Sequence, residues 1–342
     1  MHRRLLTLAP LPGYVSSCVH LHRRAALAVL IVSAACSNGT GPDGGGTEGK
    51  THPAGTVADR ITFDAGLIGV VVSPNGVGYV TTGLGTFGRF DTQSPYTKLS
   101  SVTTGPGPRD IVIDRAGTTA YAATDNGKVY VVDLTAGTMK ATFAVGDTSL
   151  SGDAGRNKLA LALDGSRAYL AVWGRLWSIP TNGAAPMSVP RSGQAIAVSP
   201  STGAIYVSND DDKRVSRVDP STLLTQATTS NVVNATAIAV APGGDEVYAN
   251  SPSDILYVLD PTTLAERGQV IVPSSISGIT VSPDGTQLYV ALFDARVAIV
   301  DRATRKVVST LTLGGIPLAT AFDPTGSTAF VVNLEGWVDV IR

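Results

Sequence analysis

The sequence is short of the side chains that carry most enzymatic chemistry. It holds two cysteines, Cys18 and Cys36, and four histidines, His2, His20, His22 and His52, and all six precede residue 57. The long remainder can assemble no Ser-His-Asp triad, no thiol nucleophile and no His/Cys metal site. A disulfide framework is excluded with them. No apolar run approaches the roughly 20 residues that a membrane-spanning helix needs. Charge is sparse too: 15% of residues are charged, the net charge is −1, and Arg3, Arg4, Arg23 and Arg24 lie at the extreme N-terminus. No basic stripe remains to follow a phosphate backbone, so nucleic acid is not an expected partner. Zinc, His-ligated haem and His-ligated copper drop out in the same way, and no cofactor is expected.

What is present begins with an address. Residues 25–35 (AALAVLIVSAA) form an apolar run of eleven behind Arg23 and Arg24, ending at Cys36. The length fits the apolar region of a signal peptide, about 7–15 residues. The small residues Ser33-Ala34-Ala35 before Cys36 resemble the bacterial lipoprotein signal, with Ser33 standing where Leu or Val is usual. That resemblance implies lipidation of Cys36 and removal of residues 1–35. The stretch before this run is long for such a signal, so a translation start near Val19 is expected. Residues 37–55 (SNGTGPDGGGTEGKTHPAG) have almost no apolar side chain and read as a flexible tether, with His52 in solvent.

From residue 56 to 342 the chain is a repeat array. The unit is clearest at residues 279–301 (ITVSPDGTQLYVALFDARVAIVD): three apolar runs of β-favouring residues around two tight reversals. In Ser282-Pro283-Asp284-Gly285 the proline pre-sets one turn dihedral and the glycine accepts another that a side chain resists. Turn glycines recur at 76, 117, 165, 203, 244, 285 and 326, at intervals of 41, 48, 38, 41, 41 and 41. Tyr79, Tyr121, Tyr169, Tyr206, Tyr248, Tyr289 and Phe330 follow them in step. Asp91, Asp133, Asp219, Asp260 and Asp301 come twelve or thirteen residues later, as turn-forming carboxylates rather than catalytic ones. The third unit is irregular, with a longer lead-in and Thr181 read at the aspartate position.

A period near 40 with room for four strands predicts a β-propeller. Counting units gives an all-β fold of seven four-stranded antiparallel blades. The last unit stops at its third strand, and residues 61–74 align without gaps to residues 311–324. A strand at about 56–63 is therefore expected to complete the last blade and close the ring.

Tyr79-Val80-Thr81-Thr82, Tyr206-Val207-Ser208-Asn209 and Tyr289-Val290, with VSPNG at 72–76 and VSPDG at 281–285, resemble the YVTN family of β-propeller repeats. The resemblance spans nearly all of residues 57–342. It implies an exported or surface-exposed propeller and says little about what is bound.

Loops that enter each innermost strand should gather at one mouth, placing Ile68, Arg109, Asn157, Gln194, Thr236, Ser277 and Leu318 around it, with Asp110 and Lys158 one residue on. Arg109, Asp110, Asn157, Lys158 and Gln194 are the candidate ligand-binding residues. Asp125, Trp173, Asp210, Asp211, Asp212, Asp254, Asp294 and Glu335 fall on the rim. Residues 209–212 lack the glycine and distal glutamate of a calcium loop, so no metal site is assigned. The expected function is a non-enzymatic lipoprotein presenting an interaction face at the cell envelope to a protein, glycan or small molecule. The alternative is a lactonase-like hydrolase or lyase working through Asp, Arg and a divalent cation at the mouth.

Overall fold

The short reversals and two-residue periodicity of the repeats build a ring of antiparallel sheets. A computed structural model describes residues 51–145, 158–172, 174–209, 212–232 and 234–342. Within them lie seven four-stranded sheets, six of them made from strands consecutive in sequence. Blade 1 comprises Leu67–Val72, Val77–Thr82, Thr86–Asp91 and Lys98–Thr103, in that order from the axis outward. Blade 6 repeats the pattern with Ile276–Val281, Gln287–Leu292, Arg296–Asp301 and Lys306–Thr312. The innermost strand of each blade touches that of the next, and blade 7 touches blade 1.

Blade 7 closes the ring. Its first three strands, Pro317–Phe322, Ala329–Asn333 and Trp337–Ile341, come from the C-terminus, and its outer strand is Val57–Thr62. Thr56 and Arg342 exchange backbone hydrogen bonds of 2.8 and 2.9 Å at one end of this pairing. Arg60 lies directly opposite Asp339 in the register. Its guanidinium donates to the Asp339 carboxylate, caps the Leu313 carbonyl and stacks 4.5 Å from the Trp337 ring. Burial pushes the Asp339 carboxyl up, against the pull of Arg60, Trp337 and Asn333.

Seven hydrophobic clusters hold the blades together, one at each interface between neighbours. Their largest members are the aromatic markers on the second strands: Tyr206, Tyr248, Tyr289 and Phe330 are all 1% exposed or less. A buried tyrosine needs a partner for its hydroxyl. Tyr169 and Tyr206 donate across to the carbonyls of Pro220 and Pro261 in the outer turns of the following blades. Tyr289 of blade 6 would look for the same turn in blade 7, where the chain break leaves none. Pro53 takes that place, accepting the Tyr289 hydroxyl at 3.3 Å.

The end of the expected tether is therefore docked. Thr51 bonds the Thr325 carbonyl, His52 Nδ1 lies 2.6 Å from Asp284 Oδ2 and 3.0 Å from Thr286 Oγ1, and Pro53 is buried. His52 remains exposed, as expected, but its partners stand more than 200 residues away in the chain, so its docking leaves no local trace in the sequence.

The turn chemistry follows expectation. All seven period-setting glycines have φ between +71° and +83°, the left-handed region that favours glycine. Asp133, Asp219, Asp260 and Asp301 accept backbone N–H groups two or three residues on. In blade 3 the register puts Pro180, not Thr181, opposite Arg167, where blades 1, 2 and 6 have aspartate. The turn is rescued two residues later, where Asn182 accepts the N–H of Ala184. Trp177 lies in the third strand of this blade, with the Arg175 guanidinium 5.9 Å from its ring.

Candidate functional site

In a blade of four antiparallel strands, successive connections open on alternate faces. Loops entering the innermost strands and loops joining second to third strands thus share one face. At its centre lies a cavity of about 720 Å³, lined by Ile68, Lys158, Gln194, Thr236, Ser277 and Leu318 among the predicted positions. That size falls within the 300–1,000 Å³ range of small-molecule pockets.

The five candidate residues separate. Lys158 and Gln194 line the cavity. Arg109 and Asp110 do not; each is committed elsewhere. Arg109 pairs with Asp125 at 3.0 Å. Asp110 turns its Oδ2 to the N–H of Leu159 at 2.8 Å, satisfying the start of blade 3's inner strand, while its Oδ1 stays 3.9 Å from the Lys158 ammonium. Asn157, Trp173, Asp210, Asp211 and Cys36 lie outside the described residues.

The same use of side chains recurs around the mouth. Inner strands begin with backbone N–H groups that no neighbouring strand satisfies, and burying them unpaired is costly. Thr81 accepts Gly69 N–H, Ser208 accepts those of Gln194 and Ala195, and Asn250 accepts those of Thr236 and Ala237. Glu335 on the rim accepts Ile316 N–H at 2.7 Å. Asp212 accepts Arg214 N–H, and Asp294 binds Arg296, whose hydrogen bond holds its carboxyl below the ordinary value. These rim carboxylates hold the loops together.

Strand spacing places Ile68 and Leu318 at the mouth but not the rest of its apolar half. Ile276, Phe293, Ile316 and Leu334 also line the cavity. Phe293 is 54% exposed and Leu334 37%, and Leu84, 73% exposed, occupies the corresponding loop of blade 1. Three neighbouring blades, 6, 7 and 1, thus present apolar loop tips, whereas blades 3 to 5 contribute Lys158, Gln194, Thr236 and Asn250. One signal was available in the sequence: Phe293 and Leu334 stand four residues after their aromatic markers, where blade 2 has Asp125.

No carboxylate lines the cavity among the described residues, and none of them cluster as a three-residue His, Cys, Asp or Glu metal site. Comparison of the chain with models of known protein families and with curated proteins finds no match. The fold defines the class, a seven-bladed β-propeller.

Proposed function

We propose that this propeller is an exported lipoprotein, similar to YVTN-repeat proteins, whose mouth is a ligand-binding face at the cell envelope. The observation that carries the reading is the mouth cavity, built from loop residues that the blade repeat does not require. The tyrosines, turn glycines and outer-turn aspartates are all engaged in making blades. Phe293, Leu334 and Lys158 are not, and a lining of apolar walls with a few polar groups is the usual make-up of a binding pocket. Thr51 and His52 run along the a-to-b turns of blades 6 and 7, on the face opposite the mouth.

Lipidation is tested by acyl labelling of the full-length chain. Label and membrane partition are both expected to vanish in Cys36→Ala, and retention of both would remove the lipoprotein reading. The binding face is tested by comparing envelope components retained by the wild type and by Phe293→Ser/Leu334→Ser. Equal retention by a folded double variant would remove the mouth as the binding surface. The lactonase-like alternative called for Arg109, Asp110 and Lys158 to converge on one pocket with a second carboxylate, and only Lys158 of these lines it.

A further inference from the structure

The two halves of the mouth define a ligand chemistry, and we infer that the cavity takes a small amphipathic anion, with an aliphatic or aromatic body and a carboxylate head. This deepens the binding reading and rests on it.

The body is specified by Ile68, Ile276, Phe293, Ile316, Leu318 and Leu334, a continuous apolar wall along blades 6, 7 and 1. Phe293 is more than half exposed at the cavity edge, so a ligand lying against it removes apolar surface from water at no steric cost. The head is specified by the opposite wall. Lys158 is the one charged side chain lining the cavity among the described residues, and its side chain is 28% exposed. An ammonium has three hydrogens to donate. Asp110, its charged partner, lies 3.9 Å away, beyond hydrogen-bond reach, and already accepts from Leu159. Asn250 donates to Thr236 Oγ1 at 3.0 Å, which leaves the threonine hydroxyl free to donate in turn toward the cavity. By contrast, Ser277 gives its hydrogen to the Pro317 carbonyl at 2.6 Å. The polar wall therefore offers donors, a cation among them, and no anionic side chain lines the cavity among the described residues. A carboxylate matches that wall; a cationic head meets Lys158 and is repelled.

The test is calorimetry on the purified full-length chain with three probes of one chain length: dodecanoate, dodecan-1-ol and dodecyltrimethylammonium, each below its micellar concentration. Dodecanoate is expected to bind at one site and more tightly than the alcohol, with the cation weakest. Lys158→Met should weaken dodecanoate by about 10- to 100-fold, the value of one charge-assisted hydrogen bond, and leave the alcohol unchanged. Lys158→Arg should restore most of the loss, which a merely structural lysine would not require. Phe293→Ser should weaken dodecanoate and the alcohol together. Equal affinity for all three heads, or a folded Lys158→Met that keeps full dodecanoate affinity, overturns the inference. Absence of dodecanoate binding also overturns it, and mouth-dependent retention of an envelope component would then still support the broader binding face.

Discussion

The two faces of the ring use their polar residues in opposite ways. On the turn face, side chains are engaged with their own backbone or with one another. A second cavity there, of about 600 Å³ between blades 5 and 6, contains Asp245, Glu246, Arg302 and Arg305, and these four are mutually paired. Arg302 further binds the Tyr248 hydroxyl and the Gly285 carbonyl. On the mouth face, carboxylates hold the loops while Lys158 and an arc of apolar tips stay open to the cavity. The residues that repeat are those that fold the ring, and the residues that can meet a ligand are those that depart from the repeat.

Substitutions on either side of that division should separate stability from binding. The largest effect is expected inside the blade interfaces: Tyr289→Ala, at a fully buried site between blades 6 and 7, should cost about 3–5 kcal/mol in denaturant unfolding of the full-length chain. Arg60→Ala removes the partner of the fully buried Asp339 and should cost about 3 kcal/mol, the lower end for breaking such a pair. The low end applies because Arg60 is itself 43% exposed. Asp339→Asn combined with Arg60→Ala should recover part of that loss, and a double variant no better than the single one would show that stacking on Trp337 is the main contribution.

A smaller, pH-dependent effect belongs to the turn face. Burial works to raise the Asp284 carboxyl, but hydrogen bonds from His52, Ser282 and Thr286 outweigh it and hold the group at about 2, below the ordinary 3.8. A depressed carboxyl stabilises the fold fully above its unfolded value, and the contribution is lost as pH falls from about 4 through about 2. Asp284→Asn should lower stability at pH 7 by on the order of 1 kcal/mol and flatten the acid limb of the stability profile. An unchanged limb would place the His52 contact outside the cooperative unit. The smallest effect is expected at the mouth: Phe293→Ser and Lys158→Met should shift stability by no more than about 0.5 kcal/mol. A large destabilisation by either would make it a folding residue and erase the contrast between the faces.

The sequence discloses blades well because each blade is built from local chemistry. A Pro-Asp-Gly turn, a buried tyrosine and an aspartate bonding the next N–H groups act within a few residues, so their spacing can be counted. Blade 3 shows the limit of counting: Pro180 takes the aspartate register and Asn182 makes the turn, a two-residue shift that only strand pairing reveals. His52 shows a second limit, since a glycine-rich flank gives no hint that Pro53 and His52 fill the turn that ring closure left out. At the mouth, polarity of residue type was a misleading guide. Arg109 and Asp110 are polar and engaged, whereas Phe293 and Leu334 are apolar and presented.

By itself the sequence determined the repeat, the number of blades, the strand that closes the ring and the absence of histidine and cysteine from residues 57–342. Periodic turn residues and β-favouring runs act over short distances and leave a countable trace. Tertiary structure alone decided which half of the mouth is apolar, that Lys158 faces the cavity while Asp110 turns to Leu159, and that the chain enters on the opposite face. Those facts depend on closure of the ring, which sets Ile68 of the first blade beside Leu318 and Leu334 of the last, some 250 residues apart in the chain.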